Sequence, residues 1–389
     1  MTDPLIVGWA HTKFGKSDAP DTMALMAEVA RPALDHAGLP ADAVDGIFTG
    51  VYNNGFSRQD FQGALVAMGT PELAGVPFLR CENACATGSA AIYAAADFIA
   101  AGRGKVALVI GAEKMSATPG DQIGDILLSA SYYAQEGDTP GGFAGVFGRI
   151  TESYFQRHGD RSEELAMIAA KNHENGMRNP WAHLRKPFDL AFCNTVSDKN
   201  PRMAGPLRRT DCSLVSDGAA ALVLAAPEVA GGLARAIGFR ARAQAGDLLA
   251  LSRRDPIAFD GAHRVWASAL EQAGLGIMDL SLVETHDCFT TAEMIEYEAM
   301  GLAPRGQGWR AIRDGITRFD GALPVNPSGG LKSRGHPIGA TGVSQHVMVA
   351  MQLMGEAGAM QVPRPGLGGV FNMGGAAVAS YCSILERVR

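Results

Sequence analysis

The stretches "CATGSAAIYAAADFIAAG", residues 85 to 102, and "GHPIGATGVSQHVMVAMQLMGEAG", residues 335 to 358, echo each other across the chain. Both set Ala-Thr-Gly ahead of a run that is apolar on nearly every helical face. A helix apolar all round belongs inside protein. After the first run comes "KVALVIGAEK", residues 105 to 114, a strand by its Val/Ile density and length. A second pair follows in the same order: "SDGAAALVLAA", 216 to 226, and "NMGGAAVASYCSIL", 372 to 385. Two ordered pairs predict a duplicated α/β unit.

Each buried helix needs a sheet on either side. The expectation is therefore an α-β-α-β-α sandwich rather than an open doubly wound sheet. Gly88 and Gly342, at the helix starts, would let neighbouring backbone approach closely. Between the echoes the strand pattern fades, and residues 116 to 205 are richer in Gly, Pro and polar side chains. We read residues 1–115 with 206–240 as an N-terminal half, 116–205 as an inserted loop domain projecting from it, and 241–389 as a C-terminal half.

Composition narrows the function classes. The chain has 389 residues, too many for one ordinary core, and 47% hydrophobic with 19% charged residues marks it as globular. A net charge of -6 argues against nucleic-acid or anionic-membrane binding, although Arg202, Arg208 and Arg209 form a local patch suited to a phosphorylated ligand. The uncharged stretch from Pro337 to Gly355 is broken by Ser344, Gln345, His346 and Gln352, so it reads as a buried helix and not a membrane span. The amino terminus shows no secretory pattern, and the six cysteines follow no framework spacing; reduced thiols in the cytoplasm are the expectation. Cys81 and Cys85 lack a second Cys/His pair with zinc-ligand spacing. Neither a dinucleotide fingerprint, nor an ATP phosphate loop, nor a serine nucleophile elbow occurs.

Three places carry reactive side chains. Cys85 precedes a helix whose first amides and macrodipole would lower a thiol pKa and yield a nucleophile; the alternative is a buried structural cysteine. "ETHDCFTTAEM", residues 284 to 294, puts His286, Asp287 and Cys288 at a strand end. In extended backbone His286 and Cys288 share a face while Asp287 turns away, either as a site or as a capped strand-to-helix connection. "NPSGGLKSRGHPIGATG", residues 326 to 342, holds His336 just before the second buried helix, either as a loop histidine or as the base for Cys85.

Together these pieces resemble the thiolase family, specifically the sterol-carrier-protein-X type. The resemblance rests on "CATG" at Cys85, "HDCF" at 286 to 289, "GHPIGATG" at 335 to 342 and "NMGG" at 372 to 375, supported by "KNHENGMRNP" and "SDGAAALVLA". It spans nearly the whole chain. It implies a duplicated five-layered fold, usually dimeric or a dimer of dimers, acting on acyl-CoA and CoA as substrates with no permanently bound cofactor or metal. It further implies that Cys85 carries the acyl group, that His336 activates it, and that His286 helps bind the enolate oxygen. The backbone N–H groups of Cys85 and Gly374 would form the other oxyanion hole. Many thiolases carry a second cysteine where this chain has Asn372; in the sterol-carrier type the cysteine of "HDCF", here Cys288, takes that proton-shuttling role. The implied activity is thiolytic cleavage of 3-oxoacyl-CoA or the reverse Claisen condensation. Acyl transfer to a non-CoA acceptor and a non-catalytic subunit of a larger complex are the alternatives. Some members work with a small OB-fold, zinc-containing partner protein.

Overall fold

The computed structural model describes residues 3 to 389. Its strands are β1 (Leu5–His11), β2 (Gly46–Gly50), β3 (Phe78–Cys81), β4 (Val106–Glu113), β5 (Arg202–Ala204), β6 (Leu207–Arg208), β7 (Gly218–Ala225), β8 (Ile237–Gly246), β9 (Leu282–Glu284), β10 (Leu367–Gly374) and β11 (Ala379–Arg387). All but the β5–β6 ribbon run in the order β3-β2-β4-β7-β1-β8-β11-β10-β9. That array is two sheets meeting at a seam, because β1 and β8 pair through only Leu5–Gly238 and Ile6–Ile237.

The two sheets have one topology. In the N-terminal sheet β2 runs parallel to β3 and β4, while β7 is antiparallel to β4 and to β1. In the C-terminal sheet β9 runs parallel to β10, β11 is antiparallel to β10 and to β8, and a parallel bridge from Val283 to Val325 occupies the outer position. The strands after the buried helices, β4 and β10, correspond, as do β7 and β11. The duplication read from the two echoes is therefore a duplication of the fold.

The helices Thr87–Ala100 and Ile338–Met354 lie side by side between the sheets. One apolar cluster joins their Ile92, Ala95, Val343 and Val347 to Leu222 and Leu224 on one side and to Val370 and Leu385 on the other. The helix Thr22–Ala37 covers the outer face of the N-terminal sheet, and Asp260–Ala273 covers that of the C-terminal sheet. Five layers result. A Cβ placed on Gly88 would lie 2.7 Å from the Val343 nitrogen, and one on Gly342 would collide with the Ser89 nitrogen. Each glycine thus admits the backbone of the partner helix.

The segment between β4 and β7 is helical, with the ribbon near its end. It leaves and rejoins the N-terminal sheet, yet it does not project freely from that half. Its helix Ser162–Gly176 is tied to the C-terminal half through buried polar groups. Lys171 pairs with Glu293, Asn172 Nδ2 donates to Asp287 Oδ2 at 2.8 Å, and Asn175 Nδ2 donates to the Asn326 carbonyl at 3.0 Å. Unpaired polar groups at such depth cost free energy, so these contacts fix the docking of the segment. Among the described residues no helix is long and apolar enough to cross a membrane.

Candidate active site

Cys85 follows β3 by way of Ala84, a non-glycine residue with φ of 48°. The turn is held by the Asn83 N–H donating to Thr87 Oγ1 at 2.8 Å and by the Ala86 N–H donating to the Asn83 carbonyl at 3.0 Å. Such left-handed backbone is costly, and here it aims the thiol across the start of the buried helix. His336 sits between the short helix Gly330–Arg334 and the second buried helix, its N–H directed at Ser216 Oγ at 3.3 Å. The segment after β9 brings in His286 and Cys288. Asp287 turns the other way, accepting from the Leu331 and Lys332 N–H groups at 2.6 and 3.1 Å, as the alternation of an extended chain requires. It thereby couples the His286 segment to the His336 loop.

The Cys85 sulfur and a nitrogen from each of His286 and His336 lie within 4.8 Å of one another, all buried. This is also the one group among the described residues whose ligand atoms converge closely enough to hold a metal ion. Cys288 belongs to the same apolar cluster as Cys85, and charge on Cys85 raises its pKa. Gly374 closes β10 against this turn, where a Cβ would strike the Asn83 carbonyl. The amide that reaches the Cys85 sulfur is that of the next residue, Gly375, whose φ of 61° suits glycine.

Burial dominates the electrostatics. The Cys85 thiol is pushed up to about 12 by desolvation, with Glu82 and Glu113 adding to the rise against the Gly375 N–H. Burial thus works against the lowered thiol pKa expected from the helix start. Cys85 precedes the capping residue Ala86, and its burial beside the carboxylates of Glu82 and Glu113 acts against the dipole. His336 falls to about 3 and His286 well below its usual value, both chiefly through burial, with Arg334 repelling a second positive charge. Cys288 is raised well above 9. The resting site is two thiols and two neutral imidazoles.

A neutral imidazole has one N–H, and its outer hydrogen bond decides which nitrogen carries it. Thr341 Oγ1 gives its hydrogen to the Pro337 carbonyl at 2.9 Å, and so accepts from His336 Nδ1 at 2.7 Å. His336 Nε2 is therefore a bare lone pair, the form that can take a proton.

Several supports are not marked by their own residue types. Glu113 Oε2 accepts from the Tyr52 and Gly339 N–H groups, both at 3.0 Å, and ties the loop after β2 to the second buried helix. Thr341 sits in the second Ala-Thr-Gly, and that repeat was its only signal. The paired glycines of "NMGG" could have pointed to Gly375 as readily as to Gly374. Of the arginine patch, Arg208 is committed within the protein, buried against Asp211 at 2.8 Å and bonded to Asn194 and the Ser162 carbonyl, whereas Arg202 and Arg209 are exposed.

A paired buried helix bearing a cysteine, faced by two histidines from the opposite half, defines an acyl-transferring enzyme of thiolase architecture. Comparisons with known proteins agree. Residues 5–189 match the family model "Thiolase, N-terminal domain", and residues 243–387 match "Thiolase C-terminal domain-like". The chain is 34% identical over 399 aligned positions to acetyl-CoA acetyltransferase of Methanothermobacter thermautotrophicus, covering 100% of each chain. It is 32% identical to human sterol carrier protein 2, covering 92% of this chain and 67% of that protein. Among solved structures, the Ltp2-ChsH2(DUF35) aldolase superposes with a TM-score of 0.83 at 22% identity, covering 100% of this chain and 98% of that one, a likeness of fold alone. The chain belongs to the thiolase superfamily and is an acyltransferase of the thiolase class.

Proposed function

We propose that the protein cleaves 3-oxoacyl-CoA with CoA, or runs the reverse Claisen condensation, through an acyl-enzyme on Cys85. The observation that carries this reading is the convergence of the Cys85 sulfur with two buried imidazoles within 4.8 Å.

The protonation states support a balanced cycle. In cleavage the Cys85 sulfur attacks the 3-oxo carbon while its proton passes to His336 Nε2. The C2–C3 bond breaks, its electron pair moves to the thioester oxygen as an enolate, and the Cys288 thiol protonates C2 to give acetyl-CoA. His336 is then cationic and Cys288 a thiolate. CoA gives its thiol proton to Cys288 and attacks the acyl carbon. The Cys85 sulfur leaves with the proton of His336, which restores two thiols and two neutral histidines. Amides of Cys85 and of the Gly374–Gly375 turn are the donors for the tetrahedral oxyanion, and His286 is the donor for the enolate. Condensation is the same cycle reversed.

The loop segment 116–205 is assigned the CoA-binding wall and the acyl pocket, because its Phe143 and Phe147 pack with Phe289 beside Cys288. Division of the chain at 115/116, 205/206 and 240/241 remains our reading, and β8 runs across the last of these boundaries. A homodimer is supported by β3, an edge strand whose Phe78 and Leu79 are about half exposed.

The test is intact mass after incubation with acetyl-CoA, together with loss of 3-oxoacyl-CoA absorbance when CoA is added. One acetyl group on the wild type, none on Cys85→Ala, and turnover only by the former are expected. A Cys85→Ala protein that still acylates and turns over would overturn the reading.

A further inference from the structure

Asn372 occupies the position where the resemblance leads one to expect a second cysteine. Its side chain is fully buried, and every polar hydrogen and acceptor on it has a use. Nδ2 donates to the Cys85 carbonyl at 3.0 Å, and Ser89 Oγ donates to Oδ1 at 2.8 Å. Rotating the amide by half a turn would set Oδ1 against the Cys85 carbonyl oxygen, so the orientation is fixed by that carbonyl. The second hydrogen of Nδ2 then points at His286 Nδ1, 2.9 Å away. A donor on that side leaves His286 Nδ1 only as an acceptor.

We propose that Asn372 is a positioning residue that holds His286 as the Nε2–H tautomer, making it a hydrogen-bond donor to substrate oxygen and never a base. The proposal deepens the thiolase reading and rests on it for the identity of the substrate oxygen. A second observation points to a ligand at the other end of the ring: His286 Nε2 is buried and has no partner in the protein. An imidazole N–H at that depth without an acceptor is costly, and a substrate enolate oxygen supplies one. The backbone is held as well, since the His286 N–H donates to Glu296 Oε2 at 3.1 Å.

The two site histidines thus have the same charge and opposite tautomers. Thr341 accepts from His336 and frees its Nε2 lone pair; Asn372 donates to His286 and leaves its Nε2 with the proton. An amide suits this task because, unlike a thiol or a carboxyl, it keeps its hydrogens in both directions of the reaction.

The test is a two-bond ¹⁵N–¹H spectrum of the full-length protein labelled at histidine, with His286 and His336 assigned by His286→Gln and His336→Gln. His286 should show an unprotonated Nδ1 and a protonated Nε2, and His336 the reverse. In Asn372→Asp the new carboxylate can accept, so the His286 proton should move to Nδ1. Solvent-deuterium exchange into the acetyl-CoA methyl should then fall about 10²–10³-fold, the scale of one lost oxyanion donor, and more than acyl-enzyme formation falls. Asn372→Ala, which removes the donor without adding an acceptor, should give mixed tautomers and covers the case in which the aspartate variant fails to fold. A proton on Nδ1 of His286 in the wild type, or a His286 tautomer unchanged in a folded variant, would overturn the proposal. A wild type with the expected tautomers but no acyl transfer would sink the thiolase reading and leave the role of Asn372 standing.

Discussion

The rings of His286 and His336 meet edge to face, with centroids 5.1 Å apart and planes inclined at 84°. Two imidazoles so close cannot both be charged in a buried site, and burial holds both neutral. Their proposed functions then separate by hydrogen-bond role. His336→Ala should slow acyl-enzyme formation, because the Cys85 proton loses its acceptor. His286→Ala should spare that step more and slow condensation, each loss being about 10²–10³-fold in the affected step. Single-turnover acylation compared with methyl exchange reads the difference; equal, small effects in folded variants would count against the assignment.

The Cys85 thiol, pushed up to about 12, sets a pH dependence. Below its pKa the thiolate fraction rises about tenfold per pH unit, so alkylation of Cys85 by iodoacetamide should climb steadily from pH 7 to 10. A helix-start thiolate would instead plateau near neutrality. Peptide mapping of the Cys85 adduct separates it from the other thiols, and a plateau near pH 7 would restore the dipole argument.

Cys288, also protonated at rest, should be needed only where a proton meets carbon. Cys288→Ser should still form the acetyl-enzyme on Cys85 yet fail to exchange the acetyl-CoA methyl protons with deuterium from solvent. Exchange at the wild-type rate would make Cys288 a packing residue and move the search for the base elsewhere in the site.

Contact between the two buried helices should be sensitive to added volume. Gly88→Ala places a methyl 2.7 Å from the Val343 nitrogen, which belongs to backbone and cannot swing away. A loss of about 1–3 kcal/mol is expected, as for other overpacked cores. Urea unfolding measures it, and an unchanged midpoint would mean that the helices separate more easily than their packing implies.

Much of the fold was legible in the chain because burial writes itself into composition. A helix without charges on any face, as in 338–354, has nowhere to lie except between sheets, and two such helices with matching flanks imply a repeated unit. The candidate positions could be picked out for a related reason: Cys85, His286, Cys288 and His336 all lie at the ends of periodic segments, where α/β folds collect function. Their ionisation was not. A local dipole is encoded by sequence neighbours, whereas the burial that raises the Cys85 pKa, and the Glu113 charge that adds to it, exist only once tertiary packing has formed. The tautomers were equally out of reach, because the hydrogen bond from Asn372 to His286 joins residues 86 positions apart. The insertion followed the same rule: its polar sequence marked it as distinct, but the partners of Lys171 and Asn172 lie in the other half of the chain. The sequence alone determined which segments had to be buried and which side chains could react. Tertiary structure decided their charge and proton placement, because those depend on groups that are close in space and distant along the chain.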